Sequence, residues 1–202
     1  MRRTAAALVA FLSVLSAPAF AQEAVTEPKS GVKFPAKVGD LSLLGVGLRT
    51  KTMLKVNVYA VGLYVSDAAL TGSLQAYKGK TTTEPFFKEL RGGDFEKQIT
   101  MVFTRDLSMS QIQEAFREVL QAYDQHRVNL FVSFFPDIRS GQQATLHWAP
   151  GGTLETTIGG LGKTPIKDKV FTEAVYSIWL GDKPIQDDIK KGLISRAETL
   201  IK

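Results

Sequence analysis

One arginine stands at a position where its charge could do chemistry. Arg49 ends the apolar, glycine-containing segment LLGVGLR, residues 43–49. An arginine that faces an apolar cleft can hold a carboxylate or an enolate through two parallel hydrogen bonds. The alternative is an arginine at the exposed end of a strand, because most arginines stay in water. Arg49 is therefore a candidate anion-binding residue.

Tyr59 is the candidate partner of Arg49, in the next apolar segment, MLKVNVYAVGLYV. Its hydroxyl could donate a hydrogen bond to the same anion, and a half-buried core tyrosine is the alternative. Thr50-Lys51-Thr52 predicts a turn between strands at Leu41–Leu48 and Met53–Val65. In an unbent hairpin centred on that turn, Arg49 and Tyr59 would lie about 16 Å apart. The two residues can then share a ligand only if the sheet bulges there.

Other reactive side chains are not arranged for catalysis or metal binding. The chain has no cysteine, which excludes disulfides, thiolate metal sites and cysteine nucleophiles. His126 and His147 lie apart, with no set of ligands at metal spacing near either. No serine lies in a nucleophile elbow, and the turn at Gly159–Gly162 lacks the spacing of a dinucleotide or phosphate loop. We therefore predict no metal, no cofactor and no catalytic residue.

The charge distribution argues against nucleic acid as a partner. The 202 residues contain 25 basic and 20 acidic side chains, a net charge of +5, and the two signs are interleaved from Lys29 to Lys202. Nucleic-acid binding needs a clustered basic face, so no such partner is predicted. A hydrophobic content of 44% and this length suit one folded domain.

The first 21 residues have the pattern of an export signal. Arg2-Arg3 forms a basic head, Ala5–Leu15 an apolar core, and Ala19-Phe20-Ala21 a small-residue cleavage site. An uncleaved membrane anchor is the alternative, since residues 4–22 carry no charge. We expect cleavage after Ala21, which would reduce the net charge to +3 and leave a secreted, periplasmic protein with no stable membrane insertion.

The rest of the chain predicts a single α+β domain with a mainly antiparallel sheet. Residues 22–32 are polar and contain proline and glycine, so they are expected to form a flexible leader to a domain at 33–202. Gly45 and Gly47 indicate either a bulge beside a cleft or simple curvature of the sheet. Periodicity and turn residues predict helices at 84–90, 108–123, 169–180 and 186–201, a strand at 97–104, a hairpin at 144–158, and a helix or strand at 127–135.

Three segments, in order along the chain, resemble the chalcone isomerase superfamily. They are LGVGLRTKTMLKVNVYAVGLYV at Leu44–Val65, FEKQITM at Phe95–Met101 and FTEAVYSIWLGD at Phe171–Asp182. The chain is most similar to the bacterial exported, chalcone-isomerase-like branch of that superfamily. The resemblance implies an open-faced β-sandwich, in which a large, mainly antiparallel sheet is covered by a layer of helices with an apolar cleft between them.

The same resemblance implies a role for the cleft. Plant enzymes of the superfamily cyclise chalcones with an arginine, a strand threonine, a tyrosine and an asparagine near the start of a helix, and a late threonine or serine. Arg49 matches the arginine, but Tyr59 stands at the strand threonine and Ile178 at the late position. The helix between Ser110 and Ala122 has neither tyrosine nor asparagine near its start. Non-enzymatic relatives that bind fatty acids resemble this arrangement.

Three hypotheses follow for the function. The first is an exported, non-catalytic protein that binds a lipophilic anion such as a fatty acid through Arg49 and Tyr59. The second is an intramolecular lyase or isomerase acting on a chalcone-like or other unsaturated carbonyl substrate, with Arg49 as clamp and Tyr59 as acid. The third is an interaction module whose cleft receives an apolar segment of a partner. Cyclisation needs a polar network around the developing enolate, so the missing polar residues favour the first hypothesis.

Overall fold

The computed structural model describes residues 23–51 and 56–202, so the expected signal peptide at 1–21 lies outside it. A small antiparallel sheet pairs two short strands, Ala24–Thr26 (β1) and Lys33–Pro35 (β2). The large sheet contains eight strands: Lys37–Val38 (β3), Leu41–Lys51 (β4), Val56–Ser66 (β5), Lys97–Phe103 (β6), Gln143–Ala149 (β7), Thr153–Ile158 (β8), Leu161–Gly162 (β9) and Ile166–Lys167 (β10).

Every pairing in the large sheet is antiparallel, in the order β10-β8-β7-β6-β5-β4-β3, and β9 also pairs with β8. A 3₁₀ helix spans Ser73–Tyr77, and the α-helices are Asp67–Leu70 (α1), Glu84–Gly92 (α2), Met109–Val119 (α3), Gln125–Ser133 (α4), Lys169–Leu180 (α5), Asp187–Gly192 (α6) and Ala197–Leu200 (α7). The helices cover one face of the sheet, and the predicted α+β open-faced sandwich is confirmed.

No helix in the described part of the chain has the length and apolar character needed to span a bilayer.

The sheet separates two hydrophobic cores. The larger core lies between the sheet and the helices, and it includes the fully buried Trp148 and Trp179. The smaller core lies on the opposite face around Phe34 of β2. Part of the segment expected to be a flexible leader forms β1 and the turn after it, and Val25 and Val32 pack on this smaller core. Apolar residues spaced on both sides of the turn therefore anchor this segment to the sheet.

The β4–β5 hairpin turns later than the sequence predicts. Lys51 pairs with Val56, so the chain reverses between these two residues and not at 50–52. Both strands are eleven residues long. The expected turn at Thr50-Lys51-Thr52 is wrong, because pairing with a long, buried partner strand outweighs the local turn preference. This change of register decides where Arg49 and Tyr59 lie.

The glycines of β4 lie at a bulge in the strand and at the place where α6 comes close to it. The pairing register shifts between Leu43 and Gly45, which marks a bulge in the strand. A Cβ on Gly45 would overlap the backbone of Gly192 in α6, and one on Gly47 would lie 3.1 Å from Cα of Ile189. These glycines therefore allow α6 to pack directly on the strand that carries Arg49.

The expected single helix at 186–201 is wrong, because the segment forms two short helices, α6 and α7. The break between them is held by Arg196, whose backbone N–H donates to the carbonyl oxygen of Leu44 at 2.9 Å. Its guanidinium Nη1 donates to the carbonyl oxygen of Leu43, also at 2.9 Å. The bulged backbone of β4 thus gains partners that a continuous helix would not supply. Most of the undecided segment at 127–135 is helical, because α4 covers it as far as Ser133.

Candidate functional site

Arg49 and Tyr59 are directly opposite each other in the β4–β5 ladder. Opposite residues of an antiparallel pair point to the same face with their Cβ atoms about 5 Å apart. The expected 16 Å separation is wrong, because the hairpin turns later than residue 51. A bulge is also present, since Thr50 pairs with Asn57 and leaves Val58 as the extra residue. The fold therefore brings the two candidate residues together.

Arg49 is fixed by uncharged groups. Its Nη1 donates to the carbonyl oxygen of Ile185 at 3.1 Å and lies 3.4 Å from Oε1 of Gln186. Gln186 is tied to the same strand, because its Oε1 accepts from the backbone N–H of Thr50 at 3.2 Å and its Nε2 donates to the carbonyl oxygen of Leu48 at 3.3 Å. Within residues 23–51 and 56–202, no carboxylate pairs with Arg49. The described residues therefore hold its positive charge in place without neutralising it.

Tyr59 is a buried hydroxyl with a hydrogen to donate. Only 9% of the residue is exposed, and its oxygen accepts a hydrogen bond from Nε1 of Trp179 at 3.1 Å. No side chain or backbone oxygen of the described residues accepts its own hydrogen. Burial raises the pKa of Tyr59 to about 12, although the Trp179 hydrogen bond and the charge of Arg49 act in the opposite direction. At neutral pH the hydroxyl is therefore protonated and can donate to an anion.

Both side chains line a cavity of about 400 Å³ between the sheet and α3. Its apolar walls come from Met101 and Phe103 of β6 and from Ile112 and Phe116 of α3. This volume lies in the range of small-molecule sites, and a few polar groups in apolar walls are typical of such sites. The cavity can therefore hold a ligand that has a single anionic group and an apolar body.

The amphipathic sequence of α3 explains why it covers this cavity. Ile112 and Phe116, four residues apart, lie on one face of the helix and are buried. A capping box fixes the start of the helix, since the backbone N–H of Ser108 donates to Oε1 of Gln111 at 3.0 Å and the N–H of Gln111 donates to Oγ of Ser108 at 3.3 Å. Gln111 also lines the cavity, but its side-chain oxygen is used by the cap.

Of the three positions matched to cyclisation residues, Arg49 and Tyr59 line the cavity and Ile178 does not. Ile178 is buried and lines a neighbouring groove instead. The tyrosine at the strand-threonine position is bonded to Trp179. Among the described residues that line the cavity, Tyr59 and the cap residue Gln111 have the uncharged polar side chains. This arrangement can clamp an anion, but it lacks a polar network around a developing enolate.

The sequence did not identify the residues that position the pair. Trp179 lies inside the helix predicted at 169–180, and Gln186 at the start of the helix predicted at 186–201. Trp179 hydrogen-bonds Tyr59, and Gln186 bonds Arg49 across 137 residues of sequence. A long-range polar contact leaves no local periodicity, so only the tertiary structure could identify these two residues.

The two histidines lie outside the cavity. Nδ1 and Nε2 of His147 each lie 3.0 Å from a carboxylate oxygen, of Glu155 and Glu96 respectively. His126 is in the first turn of α4 and is exposed. Neither histidine lies beside Arg49 or Tyr59, so neither contributes to the anion site.

The chain is similar in sequence to several plant proteins. It is 26% identical over 205 residues to fatty-acid-binding protein 1 of Arabidopsis thaliana, with 89% of this chain and 72% of that protein covered. It is 27% identical over 175 residues to chalcone isomerase-like protein 1 of Humulus lupulus, with 77% and 82% covered. It is 28% identical over 218 residues to chalcone–flavanone isomerase 2 of Lotus japonicus, with 95% and 98% covered.

The fold is also similar to a solved structure. The crystal structure of a fatty-acid binding protein of Arabidopsis thaliana superposes with a TM-score of 0.77 at 23% identity, and 89% of this chain and 99% of that chain are covered. At this identity, the likeness shows the fold. These relatives are plant proteins, so the bacterial exported branch stays a prediction. A family model described as chalcone isomerase-like matches residues 26–195, and the chain therefore belongs to the chalcone isomerase-like family.

Proposed function

We propose that the protein binds a fatty acid, or a closely similar lipophilic anion, without catalysis. The observation that carries the proposal is that one largely apolar cavity contains both Arg49 and the buried hydroxyl of Tyr59. Among the described residues, no carboxylate pairs with Arg49 and no oxygen accepts the hydrogen of Tyr59. A carboxylate would accept from both groups, and its chain would lie among the apolar residues of β6 and α3. The similarity to a protein named for fatty-acid binding supports this ligand.

The preorganised site explains how a single charge could select the ligand. Hydrogen bonds to an ionised partner are about twice as strong as those between neutral groups. Arg49 is held by Ile185 and Gln186, so little side-chain freedom remains to be lost on binding. A neutral lipid would leave the guanidinium without its anion in a partly buried site, which costs free energy. We therefore expect a preference for fatty acids over the matching alcohols.

Calorimetric titration of delipidated protein with dodecanoate tests the assignment. Arg49→Ala removes the charge, so we expect affinity to fall by about tenfold or more, the effect of losing a charge-assisted hydrogen bond. Arg139→Ala is the matched control, because Arg139 is exposed, pairs with Asp106 and does not line the cavity. Unchanged dodecanoate affinity in Arg49→Ala would show that the site lies elsewhere.

The alternative function is an isomerase or lyase, and the relatives named chalcone–flavanone isomerase keep it open. In that case Arg49 would stabilise the developing enolate and Tyr59 would act as acid. Turnover of naringenin chalcone above the uncatalysed rate, lost in Tyr59→Phe, would favour it over simple binding. Native mass spectrometry of purified protein addresses the interaction-module hypothesis, which predicts no co-purified lipid.

We also propose that the protein is exported and that its signal peptide, residues 1–21, is removed. The basic head, apolar core and Ala19-Phe20-Ala21 site support cleavage after Ala21. Expression of the full chain in a bacterium, followed by N-terminal sequencing of the periplasmic fraction, should give a product that begins at Gln22. Recovery of the full-length chain from the membrane fraction would favour the anchor instead.

A further inference from the structure

The described part of the cavity rim carries more positive charge than one fatty acid would neutralise. Besides Arg49, three cations line it: Lys51 at the end of β4, Arg105 after β6, and Lys183 after α5. Glu118 is the single carboxylate among the described lining residues. All three additional cations are exposed.

These three cations have no partners within the described chain. Lys51, Arg105 and Lys183 form no ion pair or side-chain hydrogen bond with residues 23–51 or 56–202. The carboxylate of a fatty acid is accounted for by Arg49 and Tyr59. The surplus charge at the rim therefore indicates a second anionic partner outside the cavity.

Exposed apolar side chains continue from this rim. A second groove, of about 500 Å³, shares Val119, Lys183 and Ile185 with the cavity. It is also lined by Tyr123, which is 38% exposed, and Val170, which is 73% exposed.

Apart from the shared Lys183, the charged residues that line this second groove are paired with one another. Arg91 lies 2.6 Å from Glu84, 3.9 Å from Glu173 and 3.6 Å from Asp182. The groove therefore adds apolar surface and little net charge to the face that surrounds the opening.

We propose that this face docks on the surface of an anionic lipid bilayer. The docking face consists of the rim cations Lys51, Arg105 and Lys183 and the apolar residues Val119, Tyr123 and Val170. Basic groups are attracted to anionic head groups, buried apolar area strengthens binding, and tyrosine rings favour the membrane–water interface. The inference rests on the proposed function, because the bilayer is the source or destination of the fatty acid. The attachment is peripheral and reversible.

Flotation with vesicles tests the docking face. Wild-type protein should bind vesicles of phosphatidylcholine mixed with phosphatidylglycerol, bind phosphatidylcholine alone weakly, and dissociate as salt is raised. The triple variant Lys51→Glu, Arg105→Glu, Lys183→Glu should lower partitioning by about tenfold or more. Val170→Ser should also lower partitioning, but the salt dependence of its vesicle binding should change less than that of the triple variant.

The matched control reverses the charge of three exposed lysines that line neither the cavity nor the second groove. Lys29→Glu, Lys78→Glu, Lys88→Glu changes the net charge by the same amount, and it should bind vesicles much as the wild type does. An equal loss in both triple variants would overturn the proposal, because net charge alone would then explain binding. Circular dichroism and thermal unfolding of each variant check that it is folded.

Two further results separate docking from ligand binding. Arg49→Ala should lose dodecanoate affinity and still bind anionic vesicles, so the two proposals can fail independently. If the wild type ignores anionic vesicles while the rim variant loses affinity for dodecyl phosphate far more than for dodecanoate, the cations serve a doubly charged ligand. That result would overturn the membrane proposal.

Discussion

A single arginine can clamp an anion here because neutral groups orient it. If a carboxylate held Arg49, that carboxylate would compete with the ligand for the same guanidinium. The carbonyl oxygen of Ile185 and the amide of Gln186 fix the side chain and leave its charge available. Orientation and charge are thus supplied by different residues, which lie far apart in sequence.

Tyr59→Phe should weaken dodecanoate binding and also destabilise the protein. The substitution removes the donor to the carboxylate, and it leaves Nε1 of Trp179 buried without its acceptor. An unsatisfied buried donor costs about 1–3 kcal/mol. Urea unfolding and calorimetric titration measure the two effects separately. Unaltered stability would mean that the hydrogen bond between Trp179 and Tyr59 contributes nothing.

The pH dependence of binding gives a second readout of Tyr59. Because the pKa of its buried hydroxyl is raised to about 12, the group stays a donor throughout the range in which exposed tyrosines ionise. Dodecanoate affinity should therefore be constant from about pH 7 to about pH 10. A decline near pH 10 in the wild type that Tyr59→Phe lacks would contradict this assignment.

Lys97 is a fully buried lysine outside the site. Its Nζ donates to the carbonyl oxygen of Gly93 at 2.6 Å and lies 3.8, 4.4 and 5.6 Å from the ring centroids of Trp148, Phe95 and Tyr176. Burial lowers its pKa to about 7, while nearby carboxylates, first that of Glu89, act in the opposite direction. The rings also favour the charged form.

Stability should therefore depend on pH through Lys97. Between about pH 7 and 10.5 the unfolded chain holds a proton that the folded chain has released, so this residue makes stability rise with pH. Below pH 7 both states are protonated, and the full cost of burying the charge remains. From pH 7 to 9 the gain should be about 2 kcal/mol, and it should disappear in Lys97→Met. Urea unfolding at several pH values checks it; a Lys97→Met profile parallel to that of the wild type would refute it.

At the scale of elements, the site depends on α6 packing closely on β4. Gly45→Ala places a methyl group against the backbone of Gly192, which cannot yield as a side chain can. We expect a loss of about 2 kcal/mol or more. The shifted helix should also disturb Gln186, so dodecanoate affinity should fall. Urea unfolding measures the first effect and calorimetry the second.

Gly162→Ala is the control for that substitution. Gly162 lies in a strand of the same sheet, and an added Cβ would meet no atom within 4 Å. Its stability should stay within about 0.5 kcal/mol of the wild type. If both alanine variants lost equal stability, backbone entropy and not the contact with α6 would be responsible.

The sequence predicted elements better than the contacts between them. Alternation and helical spacing identified strands such as β6 and helices such as α3 and α5, because burial of one face leaves a periodic pattern. The hairpin turn was misplaced, since Thr50 and Lys51 continue β4 and pair with β5. The position of Arg49 beside Tyr59 followed from that register and from a bulge, and neither has a reliable local signal.

For the whole molecule, the cavity joins parts of the chain that are distant in sequence. Its walls come from the β4–β5 hairpin, from β6, from α3 and from the segment Lys183–Ile185 that leads to α6. A ligand seated there contacts all of them in the folded state and none of them together in the unfolded chain. Ligand binding should therefore stabilise the domain as a unit.

Thermal unfolding with and without ligand tests this coupling. At a free dodecanoate concentration of 100 times Kd, binding stabilises the native state by about 2.7 kcal/mol, which should raise Tm by roughly 5–10 °C in a domain of this size. The Tm of Arg49→Ala should rise much less at the same dodecanoate concentration, because the variant has a lower affinity for dodecanoate. Dodecanol has the same chain and no charge, so its shift in the wild type should resemble that of dodecanoate in the variant. An equal shift with the alcohol and the acid in the wild type would mean that apolar contacts alone hold the ligand and that the charge of Arg49 has no part in binding.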